Sequence, residues 1–197
     1  MGGVHVGDTG GARSFLEEAI AINRELGSSR LGAALANLGQ MESAAGRIDR
    51  AVEVLQEALT VDQRHGDLFG VAVDQHSLAL AALRAGRPRE AHDMLCGVLD
   101  YVAISGNTSL YVNVLELGAS IVVQLGDAPL AARLAGAADA SREESGMLIS
   151  DQEAAMLEEY LAPARAAVTA DEWQAELAAG RAVSQAEALA LLRPDVA

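Results

Sequence analysis

The chain has a single cysteine, Cys96, so it forms no internal disulfide and offers no cysteine cluster for zinc. Aromatic residues make up only 3% of it against 51% hydrophobic residues, so Ala, Leu and Val must do most of the packing. Small and unbranched side chains of this kind suit helices that meet closely. Only 4 prolines in 197 residues leave long stretches open to helix. Basic residues are also scarce, 14 against 28 acidic, for a net charge of −14. Such a surface repels a polyanion and argues against direct nucleic-acid binding by this segment, while it favours solubility. No apolar run approaches the ~20 residues of a membrane span, which argues against a membrane role. The start, Met1 to Asp8, lacks the basic and apolar regions of a signal peptide. Together with the missing cysteines, this leads us to expect a reducing, cytoplasmic setting.

Catalytic signatures are missing too. There is no Gly-x-x-x-x-Gly-Lys-Ser/Thr phosphate loop and no Gly-x-Ser-x-Gly elbow. Serines stand mostly at helix starts and turns, where they cap backbone amides. Paired carboxylates such as Glu17-Glu18 and Glu143-Glu144 read as solvated faces. His76 and His92, with Asp74 and Asp93 near them, lie in opposite helices of one hairpin. Neighbours in sequence point different ways on a helix, so the four do not read as a metal site. Cys96, beside Leu95, reads as a small hydrophobe. The expectation is a chain that is not an enzyme and uses no cofactor or metal.

What is present is a period. One ladder of glycines runs Gly7, Gly46, Gly86, Gly126, with steps of 39, 40 and 40 residues. A second runs Gly27, Gly66, Gly106, Gly146 with the same steps, and a third of small residues runs Ala12, Ala51, Ala91, Ala131. Glycine of the first ladder fits a tight turn between antiparallel helices, and glycine of the second fits a helix end. Alanine of the third ladder lets the paired helices come close. Between the turns, Leu31, Ala34, Leu35, Leu38, Met41 and Ala45 recur at helical spacing, as do Ala51, Val54, Leu55, Ala58, Leu59 and Asp62. Residues 1–146 therefore read as helix hairpins: a partial unit 1–28, then units 29–67, 68–107 and 108–146. Gly7-Asp8 falls at the turn of a unit whose first helix is almost wholly missing, as in a truncated array or a short stand-alone relative. An N-terminal apolar face left without a cover would favour a homodimer.

Beyond Gly146 the period is lost, and residues 147–197 read as a helical cap. Ser150-Asp151-Gln152-Glu153 is a capping box opening a helix to about Val168, with Pro163 expected to kink or split it. Thr169 to Glu172 opens a second helix ending at Gly180, and Ser184 to Glu187 a third, stopped by Pro194. Trp173, the only tryptophan, should pack the cap onto the last repeat.

Ala34-Leu35-Ala36-Asn37-Leu38-Gly39-Gln40 resembles the first-helix core of the tetratricopeptide family. Ala51, Leu55 and Ala58 match that family's small, large, small series in the second helix. Later units depart from the pattern, with Ala79 and Ala119 in place of Gly39 and Gln75 in place of Leu35. The resemblance implies an all-α fold, a TPR-like right-handed superhelix of antiparallel helix hairpins. A second resemblance lies in Ala131-Ala132-Arg133-Leu134-Ala135-Gly136-Ala137-Ala138 through Gly146, and in Trp173-Gln174-Ala175-Glu176-Leu177-Ala178-Ala179-Gly180-Arg181-Ala182. Both stretches look like the C-terminal repeat region of large bacterial signalling ATPases and LuxR-type transcriptional regulators. Leu177 stands where those proteins usually have tryptophan.

Transferring the family's groove positions marks Gln40 and Ser43, then His76 and Arg84, then Asn113, Glu116, Ser120 and Gln124 as candidate binding residues. Polar side chains there could grip a peptide or a partner helix. Ala33, Ala36, Val73 and Val123 argue instead for a small apolar groove packed against another domain. The expected function is a non-catalytic scaffold, the repeat arm or a stand-alone relative of such a regulator. It would hold a protein or peptide partner or a neighbouring domain. The alternative is a regulatory domain that senses a small-molecule effector.

Overall fold

The computed structural model describes residues 9–193, which form helices and turns with no strand among them. The Gly7-Asp8 turn, His5 and the expected stop at Pro194 lie outside the described residues. The fold class is all-α, built of helix hairpins as the periodicity predicts and TPR-like as the resemblance implies. Two compact units divide the chain, Met1–Ala85 and Gly86–Ala197.

The N-terminal unit holds α1 (Thr9–Glu25), α2 (Arg30–Ala44), α3 (Ile48–His65) and α4 (Leu68–Arg84). Each helix packs on the next, and α2 also touches α4. Its core joins Ile20 of α1 to Leu31, Leu35 and Leu38 of α2 and to Val54, Ala58 and Val61 of α3. The α2–α3 hairpin closes at Gly39, where a Cβ would stand 2.5 Å from Leu55 Cγ and 2.8 Å from Leu55 Cδ2. Ala51, opposite, is buried. Ala12, its counterpart in the third ladder, is exposed, and the helix expected to pair with it falls outside the described residues.

Among the described residues, positive φ is confined to Gly27, Gly46, Gly66, Gly86, Gly106, Gly126 and Gly146, all members of the first two ladders. Gly66 shows why. At φ 70° it turns the chain out of α3, letting its N–H reach Gln63 O and the Asp67 N–H reach Asp62 O at 3.0 Å. These bonds satisfy carbonyls the helix end leaves open, in a backbone shape that a side chain disfavours. Asp67 then caps α4 by accepting from the Gly70 N–H at 2.9 Å.

The C-terminal unit holds α5 (Pro88–Cys96), α6 (Leu99–Ser105), α7 (Thr108–Leu125), α8 (Ala128–Ser145), α9 (Asp151–Ala167), α10 (Ala170–Arg181) and α11 (Gln185–Ala190). The second helix expected in 68–107 is two helices. The chain breaks at Gly97, whose N–H reaches Met94 O while the Val98 N–H reaches Leu95 O, both three residues back. Glycine's poor helix propensity favours such a tightened turn. Pro163 does not split α9, which runs unbroken through it. The last helix ends at Ala190, before the proline expected to stop it. All three capping boxes are formed, each hydroxyl accepting from the backbone N–H three residues on.

Helix α7 has 18 residues with a mean hydropathy of 1.3, long and apolar enough to cross a membrane by length and composition. It is the apolar run that sequence inspection sets below a membrane span, and its apolarity is that of a core helix: 61% of it is buried, with α8, α5 and α9 packed around it. The cap is anchored on α8 by α10. A Cβ on Gly180 would overlap the Arg133 carbonyl, and one on Gly136 would overlap the Leu177 carbonyl, so the two backbones touch at their crossing. Arg133 to Glu176 and Arg181 to Glu143 are ion pairs along the same seam. Trp173 is buried on α10, with the Arg165 guanidinium 5.3 Å from its ring centroid, a cation–π arrangement. Leu192, just past α11, fills the space above Gly118 of α7.

Candidate interaction surfaces

The first surface to ask about is the outer face of α1. Ladder spacing places α1 and α3 in the same register, so Ala12, Phe15, Ala19 and Ile22 correspond to Ala51, Val54, Ala58 and Val61. Val54 is 2% exposed and Val61 8%, whereas Phe15 is 74% exposed and Ile22 49%. Leu26, one turn further, is also 74% exposed. Phe15, Ile22 and Leu26 are spaced by seven and four, which aligns them on one side of the helix. Their chemistry is the same as that of a core stripe; what differs is that no described helix covers them. Their spacing of seven and four is the signal in the sequence that points to them.

Nearby, α1 is fixed to the unit by charge. Glu42 of α2 is fully buried, ion-paired with Arg47 and 3.3 Å from Arg13 of α1. The Arg47 hydrogen bond holds its carboxyl below the usual range in spite of burial. Arg24 of α1 reaches Glu57 of α3 at 2.5 Å. These contacts orient α1 without covering its outer face.

Three of this unit's groove candidates, Gln40, Ser43 and Arg84, take part in hydrogen bonds between α2 and α4. Gln40 donates to Ser77 Oγ at 3.0 Å, and Arg84 donates to Ser43 Oγ at 2.8 Å. Ser43 is buried, Gln40 is exposed at its helix surface, and His76 and Arg84 are half-buried. The two bonds stitch the first helices of successive hairpins together. Ser43 and Arg84 are thereby turned toward each other, and the adjoining Ala33 and Asn37 stay exposed.

In the C-terminal unit the candidates diverge. Glu116 is ion-paired with Arg142 of α8, which also meets Asp139 at 2.8 Å. Burial pushes the Arg142 guanidinium down and the neighbouring Asp139 carboxyl up. Ser120 is buried and returns its hydroxyl to Glu116 O at 2.9 Å. Asn113 and Gln124 are exposed. Gln124 and Leu125 line a shallow, open hollow with Arg87, Pro88, Arg89 and Glu90. Glu116 and Ser120 meet through backbone, while Gln124 lies at the hollow beside α5.

Among the described residues, no group of three or more His, Cys, Asp or Glu is placed to hold a metal ion. Cys96 Sγ lies 3.4 Å from Leu192 O and 3.8 Å from His92 Nδ1, and burial raises its thiol above the usual value. Asp74 is fully buried, and there it meets Asp62. The sign of that pair in the sequence is Asp62 on the apolar register of α3.

No curated protein and no solved structure matches the chain. The family model for the tetratricopeptide repeat matches residues 2–64, from the N-terminal region through α1 and α2 to the last turn of α3. The match ends just before the hairpin in which Gln75 and Ala79 replace the family's leucine and glycine. Residues 2–64 are therefore similar to the tetratricopeptide repeat, within an all-helical, TPR-like fold; repeats of this kind generally mediate contact between proteins.

Proposed function

We propose that this chain is a non-catalytic protein-interaction scaffold whose contact surface is the outer face of α1. The carrying observation is the exposure of Phe15, Ile22 and Leu26 at a register that is covered in α3. A helix is the natural occupant, because the equivalent residues of α3, Val54 and Val61, lie in a core built with α2. The occupant we assign is α1 of a second copy. Antiparallel pairing about a two-fold axis near residues 20–21 sets Phe15 against Leu26, and Ala19 against Ile22, in both directions. That reciprocity is what an isologous interface requires. Further support for a cytoplasmic regulator arm comes from the stretches that resemble such regulators. Gly136 and Gly180, one in each, meet at the α8–α10 crossing.

Sedimentation across a wide concentration range tests the assignment. The chain should dimerise, and Phe15→Asp with Ile22→Asp should leave a folded monomer. A wild-type chain that stays monomeric throughout would remove the self-association. If, in addition, mild-salt pulldown recovers no protein partner and a metabolite raises the melting temperature, effector sensing replaces the scaffold reading.

A further inference from the structure

Two buried carboxyl groups of the N-terminal unit take no part in the surfaces described above. Asp62, in the last turn of α3, is 2% exposed, and Asp74, on α4, is 0%. The Asp62 carboxylate lies against the first turns of two helices, since a Cβ on Gly32 of α2 or on Gly70 of α4 would overlap it. Glycine at both places leaves room for a carboxylate where the helix dipoles are positive. Asp62 Oδ1 and both Asp74 oxygens are buried without an N–H or O–H donor from the rest of the protein. Yet the two carboxyl groups are within hydrogen-bonding reach of each other. Two ionised carboxylates have no donor to make that bond, so one must hold a proton.

The surrounding charges do not remove the problem. Asp67, in the turn between α3 and α4, repels charge on both groups, and His65 faces Asp62 from the last turn of α3. From α2 the pair meets Gly32, while Arg30 in the same turn is exposed. His76, two residues past Asp74, projects from a different side of α4. We propose that Asp62 and Asp74 share one proton and act as a pH-sensitive latch holding α3, α4 and the start of α2 together.

Burial, then the Asp62 charge, pushes Asp74 up to about 8. An unfolded aspartate titrates near ~3.9, so over the interval between the two values the folded unit binds a proton that the unfolded chain does not. Stability is full below the lower value and is lost as pH rises through the upper one. Within that window the folding constant of the unit falls roughly tenfold per pH unit.

Hydrogen exchange on the full chain between about pH 5 and 9, corrected for intrinsic rates, reads this directly. Amides of α3 and α4 should lose protection as pH rises, while those of α8 and α10 serve as the internal reference. Asp74→Asn supplies a permanent donor to Asp62 and should flatten the response. Asp62→Asn removes a like charge and offers Asp74 a neutral donor, which should move the loss to lower pH. Equal slopes in the wild type and Asp74→Asn would overturn the latch. Should Asp74→Asn fail to fold, the carbon-13 carboxyl signal of Asp74 in the wild type decides: titration well above ordinary aspartate supports sharing, and titration near ~4 refutes it.

Discussion

Both units close a pair of helices on glycine, but against different neighbours. In the α2–α3 hairpin, Gly39 receives the Leu55 side chain. At the α8–α10 crossing, Gly136 and Gly180 receive the backbone of the opposing helix. A leucine can turn about its side-chain torsions, whereas a helical carbonyl moves only if the whole helix moves. The first contact is therefore adjustable, and the repeat tolerates alanine at its later equivalents, Ala79 and Ala119, both buried. The second contact has no such latitude. It sets the distance at which the cap sits on its last hairpin.

Gly180→Ala should have the largest effect. Overpacking against the Arg133 carbonyl should destabilise the C-terminal unit by about 3 kcal/mol, net of the helix propensity that alanine adds. Buried Trp173 lies seven residues earlier on the same helix, so thermal unfolding followed by its fluorescence reports the loss. Gly39→Ala should cost less, about 1 kcal/mol, because Leu55 can shift and alanine returns about 1 kcal/mol of propensity. The N-terminal unit has neither tryptophan nor tyrosine, so urea unfolding followed by circular dichroism is the appropriate measurement. A loss for Gly39→Ala equal to that for Gly180→Ala would break the comparison.

Gly66→Ala sharpens it from the other side. Nothing lies within 4 Å of a Cβ there, so only the φ of 70° opposes the change. A cost of about 1 kcal/mol is expected from left-handed backbone alone, read by the same urea titration. That value separates conformational glycine from packing glycine in one chain.

The sequence is explicit about the conformational kind. Turn glycines recur at the repeat period, and each one described has positive φ. The capping boxes were equally legible, because Ser150 and Glu153 act on each other within one helical turn. Packing glycine was less so: Gly39 followed from a family pattern, but Gly136 and Gly180 are 44 residues apart and show no mutual spacing rule. Among the groove candidates, the Gln40–Ser77 and Ser43–Arg84 bonds were hidden for the same reason. A position on a helix face says where a side chain leaves the backbone, and the neighbouring hairpin decides what it meets.

By itself, the sequence determined the turn glycines, the capping boxes and how often the hairpin recurs, since these depend on φ preferences, caps and apolar spacing within a few turns. Only the tertiary structure decided which apolar faces were covered. Val54 and Phe15 occupy one register, and packing alone buries the first and exposes the second. It also decided that Asp62 and Asp74 meet inside the protein, away from water. Burial and electrostatic pairing are properties of the surroundings, which chain order specifies only through the completed fold.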